Sequence, residues 1–274
     1  MSEPAPRNFV DWLRSLRGTR PGFRRDRHSD IPGVLASGEV NVVYQPIVSL
    51  ENRRIFAYEA LVRSTSPLWR DPPALFDEAI RSHCCGALGR QIREMAITEC
   101  AEHPLFLNIH PNEFDESWLV QPDDPIFAHD HAVYLEITES VPLSHFVLCQ
   151  SVLREVRSKG VYLVVDDFGA GYSNLKYISD LTPEIVKLDR ELIQHLDQDP
   201  RRQQLVKNIV QLCVDMGAEV VAEGVETRDE AQAARDAGAH YAQGWYFARP
   251  ACPPPEVPDS EPGRSRPVGR NHRT

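Results

Sequence analysis

From residue 41 to residue 247 short apolar runs alternate with longer stretches of helical periodicity, a rhythm that few folds accommodate. Asn41-Val42-Val43-Tyr44-Gln45-Pro46-Ile47-Val48 and Ile55-Phe56-Ala57-Tyr58-Glu59-Ala60-Leu61-Val62 flank a short polar turn around Asn52 and read as a β-hairpin. Residues 74–100 are helical in period, with Pro72 and Pro73 near their start. Six more strand-like runs follow, at 105–109, 133–137, 161–165, 185–188, 219–223 and 241–247, and helical patterns at 143–159, 201–216 and 228–237 separate most of them. Eight strands with interleaved helices predict an α/β fold, a (β/α)8 TIM-type barrel rather than an open sheet. The leading hairpin predicts that this barrel begins with an antiparallel strand.

The polar residues then fall into a pattern. Val161-Tyr162-Leu163-Val164-Val165 stops on Asp166 and Asp167, followed by Gly169-Ala170-Gly171. Successive strand side chains point to opposite faces, so one acid faces the barrel axis while its neighbour aims along the rim. Taken alone, such a pair is more often a solvated turn than a metal site. Here, however, Glu59, Asn108, Glu136, Lys187 and Glu223 also sit in or at the ends of other apolar runs. That end of a barrel is where sites are built. Each buried charge costs several kcal/mol unless paired or metal-bound, so recurrence over six strands argues for one shared pocket. Bound divalent cations remove the repulsion between converging carboxylates. Oxygen ligands with one amide favour Mg2+ or Mn2+ over zinc. His129 and His131 read as a solvated turn, and His110 as a surface residue near the rim.

A net charge of -10 argues against a large footprint on duplex nucleic acid, so an anionic substrate needs local cations. The six cysteines are scattered without a C-x-x-C pair, as expected of a chain in a reducing cytoplasm. No apolar stretch reaches the length of a membrane span, and no signal-like block opens the chain. Residues 1–30 hold Arg7, Arg14, Arg17, Arg20, Arg24, Arg25 and Arg27 around one apolar cluster, and read as a basic, flexible leader rather than a membrane or acidic-partner helix. Residues 251–274 are proline-rich and read as a disordered tail, leaving 31–250 as the folded domain.

Over residues 31–250 the chain resembles the EAL-domain cyclic di-GMP phosphodiesterases of bacterial signalling. The matching words are Tyr44-Gln45-Pro46-Ile47-Val48, Glu59-Ala60-Leu61-Val62-Arg63, Leu107-Asn108-Ile109, Leu135-Glu136-Ile137-Thr138-Glu139-Ser140, Asp166-Asp167-Phe168-Gly169-Ala170-Gly171-Tyr172-Ser173, Lys187-Leu188-Asp189, Ala222-Glu223-Gly224-Val225-Glu226-Thr227 and Gln243-Gly244-Trp245-Tyr246-Phe247-Ala248-Arg249-Pro250. Each is weak alone, and together in this order they are specific. The resemblance implies a modified (β/α)8 barrel with an antiparallel first strand. It further implies two cations, Mg2+ or Mn2+, one held by Glu59, Asn108, Glu136 and a bridging Asp166, the second by Asp166 and Asp167 with Glu223 as a partner directly or through water. It implies that Lys187 orients the attacking water, that Glu223 can accept its proton and that Asp189 supports this network. Arg63, Gln45 and Gln243 correspond to substrate contacts, and Glu139 and Glu226 to supporting residues, the first anchoring the loop after the aspartate pair. The implied reaction is hydrolysis of cyclic di-GMP to linear pGpG by in-line attack of water.

Two departures stand out. After Arg63 the chain reads Ser64-Thr65-Ser66-Pro67-Leu68-Trp69-Arg70, where the family commonly has tryptophan and then a His-Pro pair, and Ala170 replaces a frequent threonine. The alternative function within the family is a catalytically weak cyclic di-GMP receptor or protein-interaction scaffold, which loss of ligands or lysine would signal. Every such position is filled here. No sensory domain fits the short N-terminal segment, so input is expected from a regulatory partner, oligomerisation or transcription. Members of the family often form homodimers, and a helix at 183–193 with the Asp-Asp loop is where such contacts are expected.

Overall fold

Strand β1 (Val40–Ser49) pairs antiparallel with β2 (Ile55–Ser64), from Val40 opposite Ser64 to Val48 opposite Ile55, which is the expected hairpin. The computed structural model describes residues 38–66, 69, 71–114, 121–138, 146–170 and 175–257. The N-terminal segment, Glu139, part of the loop after Arg63, residues 171–174 and the chain beyond 257 lie outside the described residues. From β2 onward the strands run parallel: β3 (Leu105–Asn108), β4 (Val133–Thr138), β5 (Tyr162–Phe168), β6 (Ile185–Leu188), β7 (Glu219–Ala222) and β8 (Tyr241–Ala242). β8 closes on β1, Val48 opposite Ala242, so the eight strands form a closed barrel with β1 antiparallel to both neighbours.

The two-residue period of each strand sorts its side chains. Outward positions such as Tyr44, Leu107, Leu135, Leu163 and Val186 pack in the core shared with the helices. Inward positions Ile47, Ala57, Phe106, Val164, Ile185 and Val221 form a second cluster inside the barrel. Phe56, Tyr134 and Tyr241 pack against this cluster, the rings of Phe56 and Tyr241 stacking at 4.0 Å and those of Phe106 and Tyr134 at 4.5 Å. Counting two residues onward from the inner cluster gives Glu59, Asn108, Asp166, Lys187 and Glu223. For β1, which runs the other way, the count goes two residues back, to Gln45. The barrel therefore has an apolar floor and one polar layer at its upper mouth.

Among the described residues the helices are α1 (Pro72–Arg81), α2 (Cys85–Glu99), α3 (Phe146–Ser158), α4 (Leu175–Leu181), α5 (Arg190–Ile193), α6 (Pro200–Asp215) and α7 (Arg228–Asp236). Three-residue or four-residue 3-10 turns add Pro111–Phe114, Pro125–Phe127 and Leu196–Gln198. Asp199 caps α6 by accepting from Arg201 N and Arg202 N, and Thr227 with Glu230 forms a capping box on α7.

Several boundaries differ from expectation. The helix expected at 74–100 is two helices. His83, at φ 54°, ends α1, with His83 N bonded to Ile80 O and Cys84 N to Ala79 O. This Schellman geometry usually uses glycine, which is why composition did not mark it. The strand expected over 241–247 stops after two residues, because Gly244 backs directly onto Val225, where a Cβ would lie 2.0 Å from the carbonyl oxygen. The segment 183–193 is β6 and the single turn α5 rather than one helix. Residues 251–257, expected in the tail, instead lie on the barrel: Ala251 exchanges backbone hydrogen bonds with Tyr44, and Tyr58 donates to Pro255 O at 3.0 Å. Among the described residues five cysteines are free thiols, and no helix is long and apolar enough to cross a membrane.

Candidate functional site

Lys187, on β6, is the centre of the polar layer and is 1 % exposed. Its Nζ lies 2.6 Å from Glu136 Oε1, 2.7 Å from Glu223 Oε1, 3.2 Å from Asp166 Oδ1 and 3.4 Å from Glu59 Oε2. Four carboxylates from β2, β4, β5 and the end of β7 thus meet around one ammonium. The side chains converge because each follows an inward apolar residue by one strand period.

Asp167 joins them by a different route. The register of β5 against β6 shifts between Val165 and Phe168, and Asp167 adopts φ 57°, a left-handed conformation that aspartate tolerates better than most residues. A regular strand would turn Asp167 away from Asp166. Instead, one oxygen from each of Asp166, Asp167 and Glu223 lies within 4.8 Å of the others.

The electrostatics follow from crowding. Burial, then the charges of Glu59 and Asp166, push the Glu136 carboxyl well above the usual range against the pull of Lys187. Burial likewise raises Asp166 and Glu223, with Lys187 opposing in both cases. Burial and neighbouring Asp166 push Asp167 up to about 7. Glu59 is the exception: burial opposes its ionisation, but Lys187 and the amides of Gln243 and Asn108 hold it below the usual range. For Lys187 burial favours the neutral amine, and the surrounding carboxylates, Asp166 foremost, outweigh it and keep the ammonium.

Oxygen donors dominate this pocket, and some are left over. Neither oxygen of Glu136, nor Asp166 Oδ1, accepts a well-directed hydrogen bond, although Lys187 is close. Asn108 gives its N–H to Glu59 Oε1 at 3.0 Å, which leaves its amide oxygen for a further partner. Orphaned buried oxygens are costly without a cation, and an all-oxygen set suits Mg2+ or Mn2+. The residues present fit such ions.

The remaining expected site residues divide. Gln45 and Gln243 are 8 % and 4 % exposed and form a chain: Gln243 Nε2 donates to Gln45 Oε1 at 3.0 Å and Glu59 Oε2 at 2.5 Å, and Gln45 Nε2 donates to Ala248 O at 3.1 Å. Their N–H groups orient Glu59 and the strap after β8, so only Gln243 Oε1 is left without a partner. Arg63 donates to Val62 O at 2.8 Å. Asp189 caps α5 through Glu191 N at 2.7 Å, and its charge contributes to the raised carboxyl of Asp167. Glu226 pairs with Arg190 at 2.9 Å rather than with the carboxylate cluster. His110 is half-buried rather than a surface residue: it stacks on Phe76 at 5.2 Å, accepts from Asn112 N, and burial lowers its pKa to about 4.

A buried ion cluster behind β3 was invisible in the sequence. Arg93 of α2 reaches Glu113 Oε2 at 2.5 Å and Asp124 Oδ2 at 2.8 Å, and Glu113 Oε1 accepts from His110 N at 2.9 Å. This cluster braces the turn that follows Asn108. Its partners lie 20 and 31 residues away, so no local pattern pairs them.

The EAL domain family profile matches residues 28–250. This chain belongs to the EAL domain family. Among curated relatives of this EAL domain, a cyclic di-GMP phosphodiesterase of Pseudomonas aeruginosa is 32% identical over 78% of this chain and 38% of its own length. A probable cyclic di-GMP phosphodiesterase of Escherichia coli K12 is 26% identical over 88% of this chain and 46% of its own. The chain spans less than half the length of these relatives. Solved structures agree with the fold. Klebsiella pneumoniae BlrP1, in a manganese and cyclic di-GMP complex, superposes with TM-score 0.67 at 30% identity, over 78% of this chain and 56% of that one. The PaMucR phosphodiesterase in its cyclic di-GMP complex gives TM-score 0.71 at 25% identity, over 81% and 96%.

Proposed function

We propose that this EAL domain is a phosphodiesterase that hydrolyses cyclic di-GMP to linear pGpG with two divalent cations, Mg2+ or Mn2+. The observation that carries it is the meeting of Asp166, Asp167 and Glu223 oxygens within 4.8 Å of one another, beside the buried ammonium of Lys187. Glu59, Asn108, Glu136 and Asp166 would hold one cation and Asp166, Asp167 and Glu223 the other. Bound there, such cations would neutralise the diester, lower the pKa of the attacking water and stabilise the leaving 3′-oxygen.

The protein's own side chains supply the rest. Lys187 keeps its proton among the carboxylates and donates hydrogen bonds to the attacking water, holding it in line with the scissile P–O bond. Glu223, 2.7 Å from Lys187, accepts the proton that water loses. Gln243 and Gln45 fix the Glu59 carboxylate, and Arg63 offers its remaining N–H groups to a substrate phosphate.

The purified chain incubated with cyclic di-GMP and Mn2+ or Mg2+ should release pGpG, and chelator should stop it. Tight nucleotide binding with no pGpG formed would replace hydrolysis with the receptor role.

A further inference from the structure

The strands that bring Asp166, Asp167 and Glu223 together are not neighbours, since β6 lies between β5 and β7. What bridges them above β6 is the one-turn helix α5 and the residues flanking it. On one side Leu192 packs over Gly169, two residues beyond Asp167. A Cβ at 169 would lie 2.4 Å from Leu192 Cδ1, and its φ of +105° also requires glycine. On the other side the stem of Arg190 crosses Gly224, next to Glu223, where a Cβ would lie 2.4 Å from Arg190 Cγ. The Arg190 guanidinium then reaches Glu226 Oε1 at 2.9 Å. Backbone bonds run the same way, from Asp189 N to Phe168 O at 3.0 Å and from Glu223 N to Leu188 O at 3.1 Å. Both carboxylate-bearing loops therefore press a bare glycine against the same helical turn.

We propose that Leu192 and Arg190 are positioning residues, through which α5 sets the separation of the Asp166–Asp167 carboxylates from Glu223 and hence the affinity for the cation between them. This rests on the two-cation reading above. Glu59, Asn108 and Glu136 come from β2, β3 and β4, which α5 does not bridge, and only Asp166 is shared, so a change in α5 acts mainly on the cation held with Asp167 and Glu223. Arg190 and Glu226 are 50% and 36% exposed, and an ion pair so open to water adds little to stability. Loss of Arg190 therefore separates positioning from folding.

The test is Mn2+ titration of the full chain by calorimetry, without nucleotide, for the wild type, Leu192→Ala, Arg190→Ala and Arg190→Lys. The alanine variants are expected to weaken one of two Mn2+ sites about tenfold and leave the other within about twofold. Arg190→Lys, which keeps a stem over Gly224 and a charge near Glu226, recovers most of that loss. With nucleotide, kcat falls in the alanine variants while KM changes little. Unchanged Mn2+ binding in Arg190→Ala overturns the proposal, as does equal weakening of both sites or a wild type that takes up a single ion. If Leu192→Ala does not fold, the two Arg190 variants decide alone. Selective Mn2+ loss in a protein that leaves cyclic di-GMP intact would remove the hydrolase assignment and leave the role of α5 standing.

Discussion

Lys187 Nζ lies 2.6 Å from Glu136 Oε1 at the centre of the barrel mouth, and neither side chain is more than 1 % exposed. Burial and its neighbours push the Glu136 carboxyl well above the usual range, so this contact joins the ammonium of Lys187 to an acid that its surroundings disfavour as an anion. Three further carboxylates share that ammonium. Their charges exceed what one lysine can neutralise, and the surplus negative charge is what equips the pocket for hard cations.

Removing the ammonium should therefore unbalance the pocket before any chemistry is considered. Lys187→Met is expected to cost about 3–5 kcal/mol of unfolding free energy in buffer without divalent ions, because it strands buried carboxylates. Urea denaturation followed by circular dichroism measures it, and added Mn2+ should recover part of the loss. A midpoint equal to wild type would mean that the carboxylates are neutral without Lys187.

Glu59 receives N–H groups from Asn108 and Gln243 and faces Lys187. Glu59→Ala should lower turnover of cyclic di-GMP by more than about 100-fold while the far-ultraviolet spectrum stays native. Retained turnover with an intact fold would take Glu59 out of the cation site.

Behind β3, Arg93 is fully enclosed and pairs with both Glu113 and Asp124. Arg93→Ala should destabilise the chain by about 3–5 kcal/mol, since two buried acids lose their partner. Gly89→Ala should also destabilise it, because the new methyl would start 1.9 Å from Glu113 Oε2 and force the pair apart. Thermal melting of both variants tests the cluster, and a wild-type midpoint for Gly89→Ala would show that Glu113 swings away freely.

Glu230 accepts N–H groups from His195, Glu226 and Thr227, and although burial opposes its ionisation these bonds hold its pKa below the usual value. A depressed folded-state pKa adds stability that is present above the ordinary carboxyl pKa and is lost as pH falls through the folded one. Wild type should exceed Glu230→Gln by about 1 kcal/mol near neutrality, and the gap should close in acid below about pH 4. A gap independent of pH would mean that the amide serves the three donors as well as the carboxylate does.

The barrel could be read from the chain because strand periodicity is local. Hydrophobic runs of four to eight residues marked β1 through β7, and the hairpin at Asn52 announced the antiparallel start. The polar layer was legible for the same reason, since Glu59, Asn108, Glu136, Asp166, Lys187 and Glu223 interrupt apolar stretches at their ends. Local patterns failed where a distant contact set the outcome. Gly244 against Val225 cut β8 to two residues, and Tyr44 and Tyr58 drew residues 251–257 onto the barrel despite their prolines.

Residue order by itself determined which strands exist, which of their faces turn inward and which chemical groups stand at the mouth, because alternation in a strand is a property of neighbouring residues. Only the closed barrel decided how near those groups come. It gathered Lys187 and four acids from separate strands, kinked β5 so that Asp167 joins Asp166, and set α5 between Gly169 and Gly224. Those distances depend on strand register and on what packs behind each loop, and both arise from contacts between residues far apart in the chain.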